Sequence, residues 1–303
     1  MEKNQIMSPR LKAHLALFSV ALIYGANYSI AKVVLDDNYI QPIGFILIRN
    51  IVAIIFFWIF HSIYIKEKVE RKDFPLLLLC GMFGVAINQI FFFSGLKFTT
   101  PINASLIMLT TPILVLITSA IILKEKITWQ KVIGIVLGIL GAILLVSYGK
   151  EFSFEQSQLK GDLFILINAI AYGIYLVIVK KMLNKYNPFT VVKWVFTFGI
   201  IAVFPFGIQD LLAVKWALFP STVWLAVGYV LFFATIVTYL FNVYAIKLVS
   251  STVVSIYIYL QPLFATTIAL ASGKDELSMV KISAAILIFV GVFLVSRSPQ
   301  KLT

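Results

Sequence analysis

Charge and catalytic chemistry are scarce in this sequence. Only 13% of its 303 residues are Asp, Glu, Lys or Arg, about half the share of an ordinary soluble chain. The one cysteine, Cys80, lies inside an apolar run, which excludes an intramolecular disulfide framework. The two histidines, His14 and His61, sit at the edges of apolar runs and read as surface residues. All 13 carboxylates fall in polar breaks or at the ends of apolar runs. Proton-driven pumps commonly carry protons on Asp, Glu or His within the membrane, and their absence there predicts weak or absent proton coupling. There is no HExxH, no His/Asp/Glu cluster with metal-ligand spacing, no nucleophile beside a base and no glycine-rich phosphate loop. The residues give an enzyme no visible equipment, and no metal or cofactor is expected.

Apolar residues are what the sequence has in plenty. They make up 61% of the chain, with a mean hydropathy of +0.99, more than one water-soluble core can hide. Lipid must be the solvent for most of the chain. Ten runs of about 20 residues, the length that crosses a bilayer core, lie between polar breaks at 13–35, 42–65, 74–97, 101–123, 129–148, 161–183, 189–208, 222–247, 251–272 and 279–297. They are continuous rather than alternating, which favours helices over barrel strands. The first run has basic flanks but is too long for a signal peptide, lacks a small-residue cleavage site and is followed by nine more; it reads as a retained helix. The net charge of +12 arises from Lys and Arg set mostly in short loops. That pattern orients membrane proteins and does not indicate nucleic-acid binding.

The chain repeats itself. Lys97 to Thr128 returns as Lys247 to Ser278, with Lys, Ser (Ser105, Ser255), Pro (Pro112, Pro262) and a closing acidic turn at one offset. Tyr24 to Lys32 (YGANYSIAK) returns as Tyr172 to Lys180 (YGIYLVIVK) at nearly the same offset. The expected fold is therefore an all-α integral membrane protein whose ten transmembrane helices form two five-helix repeats, residues 1–148 and 161–303, joined by a polar connector at 149–160. Five crossings per repeat force the second to enter the membrane inverted. Lysine and arginine placement agrees: the loop after helix two, Lys66 to Asp73, is basic, and its counterpart, Gln209 to Ser221, holds only Lys215. Both termini are expected in the cytoplasm, with the connector outside.

Arg49 is the costliest residue to bury in lipid. It either snorkels outward and ties helices through backbone carbonyls, or faces a cavity as a functional cation. Lys193, at a comparable place in helix seven, is expected to snorkel to the inner interface. Lys32 and Lys180 end helices one and six, as anchors or as a matched pair guarding two mouths of one pathway. Uncharged polar residues collect in five helices: Asn27, Tyr28 and Ser29 in helix one; Asn88 and Gln89 in three; Asn168, Tyr172 and Tyr175 in six; Asn242 in eight; Tyr257, Tyr259 and Gln261 in nine. They serve either as interhelical glue or as the wall of a wet central pathway. On the second reading Asn27, Arg49, Asn88, Gln89, Tyr172, Tyr175, Asn242, Tyr257 and Gln261 bind the substrate. Pro112 and Pro262 are passive bends or paired kinks beside a midplane site. Gly134, Gly138 and Ala142 form a close-packing strip on helix five, within one molecule by default. A homodimer through helices five and ten is the other use of those apolar helices. Thr128 and Ser278 read as helix N-caps beside the acidic residues Glu125 and Asp275.

These residues resemble the EamA-type branch of the drug/metabolite transporter superfamily. YGANYSIAK is similar to the family's Trp-Gly-Ser-Asn-Phe-x-x-x-Lys pattern, with Tyr24 in place of Trp. Pro42 and Arg49 match its second-helix spacing. GLKFTTPINASLIMLTTPI resembles its Ala-Leu-x-x-Thr-x-Ala-x-x-Ala-x-x-Leu-x-x-x-x-Pro segment, and Leu123 to Thr128 resembles Leu-Gly-Glu-x-Leu-Thr with Lys124 for Gly. The resemblance covers essentially the whole chain and implies an inner-membrane carrier of small metabolites, many relatives exporting amino acids, that works by alternating access. A cavity lined by amides and aromatics, with Arg49 near one mouth, would suit a small amphipathic solute bearing an anionic group. The competing readings are a proton-linked multidrug exporter, for which the first helix lacks the expected Glu, a membrane enzyme on a lipid-linked substrate, and a scaffold without transport.

Overall fold

The computed structural model describes residues 8–36, 39–147, 159–271 and 278–297. The connector residues 149–158 and the acidic turn with Asp275 lie outside the described residues. The described residues form ten helices: α1 Pro9–Leu35, α2 Pro42–Ile65, α3 Arg71–Phe98, α4 Asn103–Ile122, α5 Trp129–Ser147, α6 Leu159–Leu183, α7 Pro188–Leu212, α8 Ser221–Leu248, α9 Ser251–Ile268 and α10 Met279–Arg297. Among the described residues nine are long and apolar enough to cross a membrane, and α5 is apolar over Trp129–Leu145. Local sequence sets the starts. Pro42 and Pro188 occupy first-turn positions, where the missing N–H costs nothing. Asn187 caps α7 by accepting from the Phe189 amide at 3.0 Å. Thr128 and Ser278 accept from the amides of Lys131 and Lys281, as their N-cap reading requires. Large apolar side chains face outward, Ile121, Leu225 and Phe206 each more than two-thirds exposed. In water this would be an aggregating surface; in a bilayer it is the lipid contact.

Packing obeys an exchange of halves. α5 packs on α10 and α2 on α7, each pair mapping onto itself when the halves are swapped; α3 against α6 maps onto α8 against α1, and α4 against α6 onto α9 against α1. Irregularities repeat as well. α3 contains a π-helical turn at Met82–Ala86 and α8 one at Phe232–Val237, related by the offset that relates Pro112 to Pro262. α4 breaks at Leu109 and Thr110, and α9 tightens into a 3-10 turn at Tyr257–Tyr259. Each break precedes the proline, so Pro112 and Pro262 sit in the first turn of a new segment rather than kinking a continuous helix. The glycine strip of α5 is used internally. A Cβ on Gly134 would lie 2.8 Å from the Gly291 carbonyl, so α5 and α10 meet backbone to backbone.

The two ends are fastened differently. At the end carrying the α2–α3, α4–α5 and α6–α7 turns, Lys185 bridges Asp73 (2.6 Å) and Glu70 (2.7 Å), and Glu125 accepts from Lys131 (3.3 Å) and Lys180 (3.4 Å). Hydrogen bonds that Lys185 donates to Asp73 and Glu70 hold its pKa above the usual lysine range, and Lys185 with Lys72 holds Glu70 below the usual carboxylate range. At the opposite end Lys97 donates to Gln41 at 2.8 Å and Thr99 to Asp162 at 2.5 Å.

Candidate functional site

α1, α2, α3, α4, α6, α8 and α9 enclose a central cavity that offers about 70 Å³ to the centres of water-sized molecules. One such molecule needs about 10–15 Å³, so the space holds several waters or a small solute. Six of the nine expected binding residues line it: Asn27, Arg49, Asn88, Gln89, Tyr172 and Gln261. Asn242 and Tyr257 line a smaller adjoining void of about 10 Å³, bounded on the cavity side by Tyr24, Tyr172 and Gln261. Tyr175 faces neither; its ring fills the space beside Gly84 in the π turn of α3. Tyr259 likewise packs against Gly138 of α5. The cavity adds Tyr24, Tyr28, Phe92, Phe93, Met108, Asn168 and Tyr239. Two signals pointed to some of them: Tyr24 is the repeat counterpart of Tyr172, and Tyr239 is that of Gln89 by the Lys97-to-Lys247 offset.

Arg49 is 4% exposed, and among the described residues no carboxylate pairs with it. Its Nε donates to Thr235 Oγ1 at 2.9 Å and Nη2 to the Ala234 carbonyl at 3.4 Å, while its Cζ lies 4.6 Å from the centre of the Phe93 ring. Thr235 gives its own proton to the Val230 carbonyl at 2.8 Å. The π turn of α8 thus seats the guanidinium. Its counterpart in α3 is used in parallel, since Tyr239 donates to the Gly84 carbonyl at 2.6 Å and accepts from Gln89 Nε2 at 3.0 Å. Equivalent residues of the two halves therefore meet directly at the cavity. Asn168 Nδ2 donates to the Asn88 carbonyl at 2.7 Å, and Tyr28 to Gln261 Oε1 at 3.3 Å. Close approach makes this possible: a Cβ on Gly25 would sit 2.7 Å from the Gln261 carbonyl.

Two expectations are corrected. His61 is not a surface residue but 5% exposed, with Nε2 3.1 Å from Thr190 Oγ1. Lys193 does not snorkel. It is 4% exposed, with Nζ 3.1 Å from His61 Nδ1 and 4.3 Å from the Trp58 ring centre. Neither lines the cavity. Both groups lie where α2 packs on α7, with the Trp58 and Trp194 rings against the ammonium.

A multi-pass helical membrane protein with a polar, cation-bearing cavity at the meeting of two repeats has the architecture of a membrane transporter. The model of the EamA-like transporter family matches residues 11–147 and again 159–297, and the chain belongs to that family, within the drug/metabolite transporter superfamily. An uncharacterized transporter of Archaeoglobus fulgidus is 26% identical over 292 residues, covering 96% of this chain and 99% of its own. Uncharacterized transporter YyaM of Bacillus subtilis is 25% identical, covering 94% of each. A WAT1-related protein of Arabidopsis thaliana is 24% identical over 95% of this chain and 87% of its own. A protein of known crystal structure superposes with a TM-score of 0.74 at 18% identity, covering 93% of this chain and 95% of that one, a likeness of fold.

Proposed function

We propose that the protein exports a small amphipathic metabolite, an amino acid or a similar solute with an anionic group, across the cytoplasmic membrane by alternating access. The observation that carries this reading is Arg49, a desolvated guanidinium in the cavity wall with no carboxylate of the described residues beside it. A buried cation is costly unless compensated, and a solute carboxylate would supply the compensation. The basic end, with its Lys185 and Glu125 ion pairs, is taken as cytoplasmic by the distribution of Lys and Arg. Arg49, Gln89 and Asn168 lie on the half of their helices farther from that end and Tyr239 on the half nearer to it, so the cavity straddles mid-depth, where alternating access needs it. Exchange of the halves about the Gln89–Tyr239 contact would produce the opposite state. The test is thermal stability of the detergent-purified protein against amino acids, nucleosides, sugars and cationic drugs, repeated on Arg49→Ala. A bound solute at a hundred times its Kd adds about 2.7 kcal/mol. Stabilisation by anionic solutes that Arg49→Ala abolishes is expected; stabilisation by cationic drugs alone would contradict the reading.

A further inference from the structure

His61 and Lys193 are a buried titratable pair that the cavity does not use. His61 lies near the end of α2, in the first family-matched segment, and Lys193 near the start of α7, in the second, so their contact joins the two repeats. The 3.1 Å bond between Lys193 Nζ and His61 Nδ1 needs one donor and one acceptor. An ammonium only donates. Nδ1 therefore accepts, the ring is neutral, and its hydrogen sits on Nε2, where Thr190 Oγ1 accepts it at 3.1 Å. The pair holds a single charge, which the Trp58 and Trp194 rings share at 4.3 and 5.2 Å from Nζ. A second proton would turn the acceptor into a donor and set two cations 3.1 Å apart in surroundings where such a repulsion is strong. Among the described residues neither side chain makes an ion pair. Glu67 is the other charged group whose field reaches both, and its Oε2 is engaged by the Asn187 amide at 2.9 Å. The rest of the contact is indifferent to protons: Phe60 stacks on Phe189 at 4.2 Å, Phe57 on Phe196 at 5.8 Å, and Trp58 Nε1 donates to Thr197 Oγ1 at 3.0 Å. At their other end the same two helices meet through Gly44 on Asp210 and Gly207 on the Ile43 carbonyl, where an added Cβ would lie 2.8 and 2.9 Å away. Only the His61 end carries a group that titrates near neutrality.

We infer that His61 and Lys193 form a proton-operated catch between the two repeats: neutral His61 holds the basic ends of α2 and α7 together, and uptake of a proton by His61 releases them. That end is the one taken as cytoplasmic, so the catch answers to cytoplasmic acid; its sidedness rests on that orientation, and the catch itself does not. A proton that His61 takes up only when the contact is open favours the open and unfolded states, so stability falls as pH falls. The test is the unfolding temperature of the detergent-purified full-length protein at about pH 7.5 and about pH 5.5, either side of the ordinary histidine value near 6.5. Wild type, His61→Gln, Lys193→Met, the double variant and His14→Gln are compared. Wild type is expected to lose about 3 °C or more beyond the loss in His61→Gln. Lys193→Met, which removes the second cation, should abolish most of that excess, and the double variant should match His61→Gln. Tryptophan emission of wild type should shift to the red at the lower pH, as the Trp58–Trp194 contact at 5.5 Å opens, with no shift in His61→Gln. Equal losses in wild type and His61→Gln overturn the catch. The whole excess persisting in Lys193→Met means that His61 answers to its burial alone, and overturns the pair. His14, the other histidine, meets Tyr257 at 2.7 Å on different helices, and removal of the excess by His14→Gln overturns the assignment to His61. The excess without the emission shift overturns the release. If His61→Gln gives no folded protein, wild type against Lys193→Met decides: equal acid losses overturn the catch, and a smaller loss in Lys193→Met supports it.

Discussion

Arg49 and Lys193 are equally withdrawn from solvent, each 4% exposed, on two helices that pack against one another. Their surroundings differ. Lys193 is enclosed by His61 Nδ1 and the rings of Trp58 and Trp194, 4.3 and 5.2 Å from its Nζ. Arg49 is held on one side by the π turn of α8 and faces the cavity on the other. Burial alone therefore does not separate a cation that reaches the cavity from one that is packed. What separates the two is that Arg49 lines the cavity and Lys193 does not.

The largest effect that would break this comparison is expected at Arg49. Arg49→Ala should lower kcat/KM for transport about a hundredfold or more, the scale of a lost buried charge contact, with folded yield retained in size-exclusion chromatography. Gly25→Val comes next. Its side chain would be driven against the Gln261 carbonyl, and overpacking of this kind costs about 1–3 kcal/mol, read as a lower unfolding temperature together with reduced flux. Lys193→Met sharpens the contrast from the other side. It replaces a buried cation by an apolar chain of similar length, so transport should stay within about twofold and stability within about 1 kcal/mol. Lys124 has φ 53°, in the left-handed region, where glycine is at ease. Lys124→Gly should raise stability by about 0.5 kcal/mol after the greater chain entropy of glycine is subtracted. The smallest effect concerns Glu70, whose pKa is depressed in the folded state by Lys185 and Lys72. Its stabilising contribution is present above the usual carboxylate range and is lost as pH falls through the depressed value. The slope of unfolding temperature against pH on the acid side should flatten in Glu70→Gln, by little because the pair is solvent-screened.

The ten helices were legible because a bilayer imposes a length, and 42–65 and 279–297 match α2 and α10 at both ends. The helix breaks were legible only as prolines. Their true place, ahead of Pro112 and Pro262, depends on the Leu109–Thr110 turn and the Tyr257–Tyr259 turn, whose residues carry no breaker signature. The π turns left no trace, since one widened turn does not disturb an all-apolar run. Within the site, mid-span amides were informative because lipid makes an idle amide expensive: Asn27, Asn88, Gln89 and Gln261 all line the cavity. Tyrosine was less informative. Its ring satisfies packing on any helix face, so Tyr172 reaches the cavity while Tyr175, one turn on, fills the hollow left by Gly84. Lys124 in place of the family's glycine was readable as a departure from a pattern; its φ supplies the reason the pattern exists.

Solute-driven counterflow in proteoliposomes tests the central claim most directly, with labelled amino acid outside and the unlabelled solute that stabilises the protein inside. Wild type and Lys193→Met are expected to accumulate label transiently, and Arg49→Ala to show none. Accumulation by Arg49→Ala equal to wild type, or its loss in Lys193→Met alone, would contradict the assignment of Arg49 as the solute's anion site.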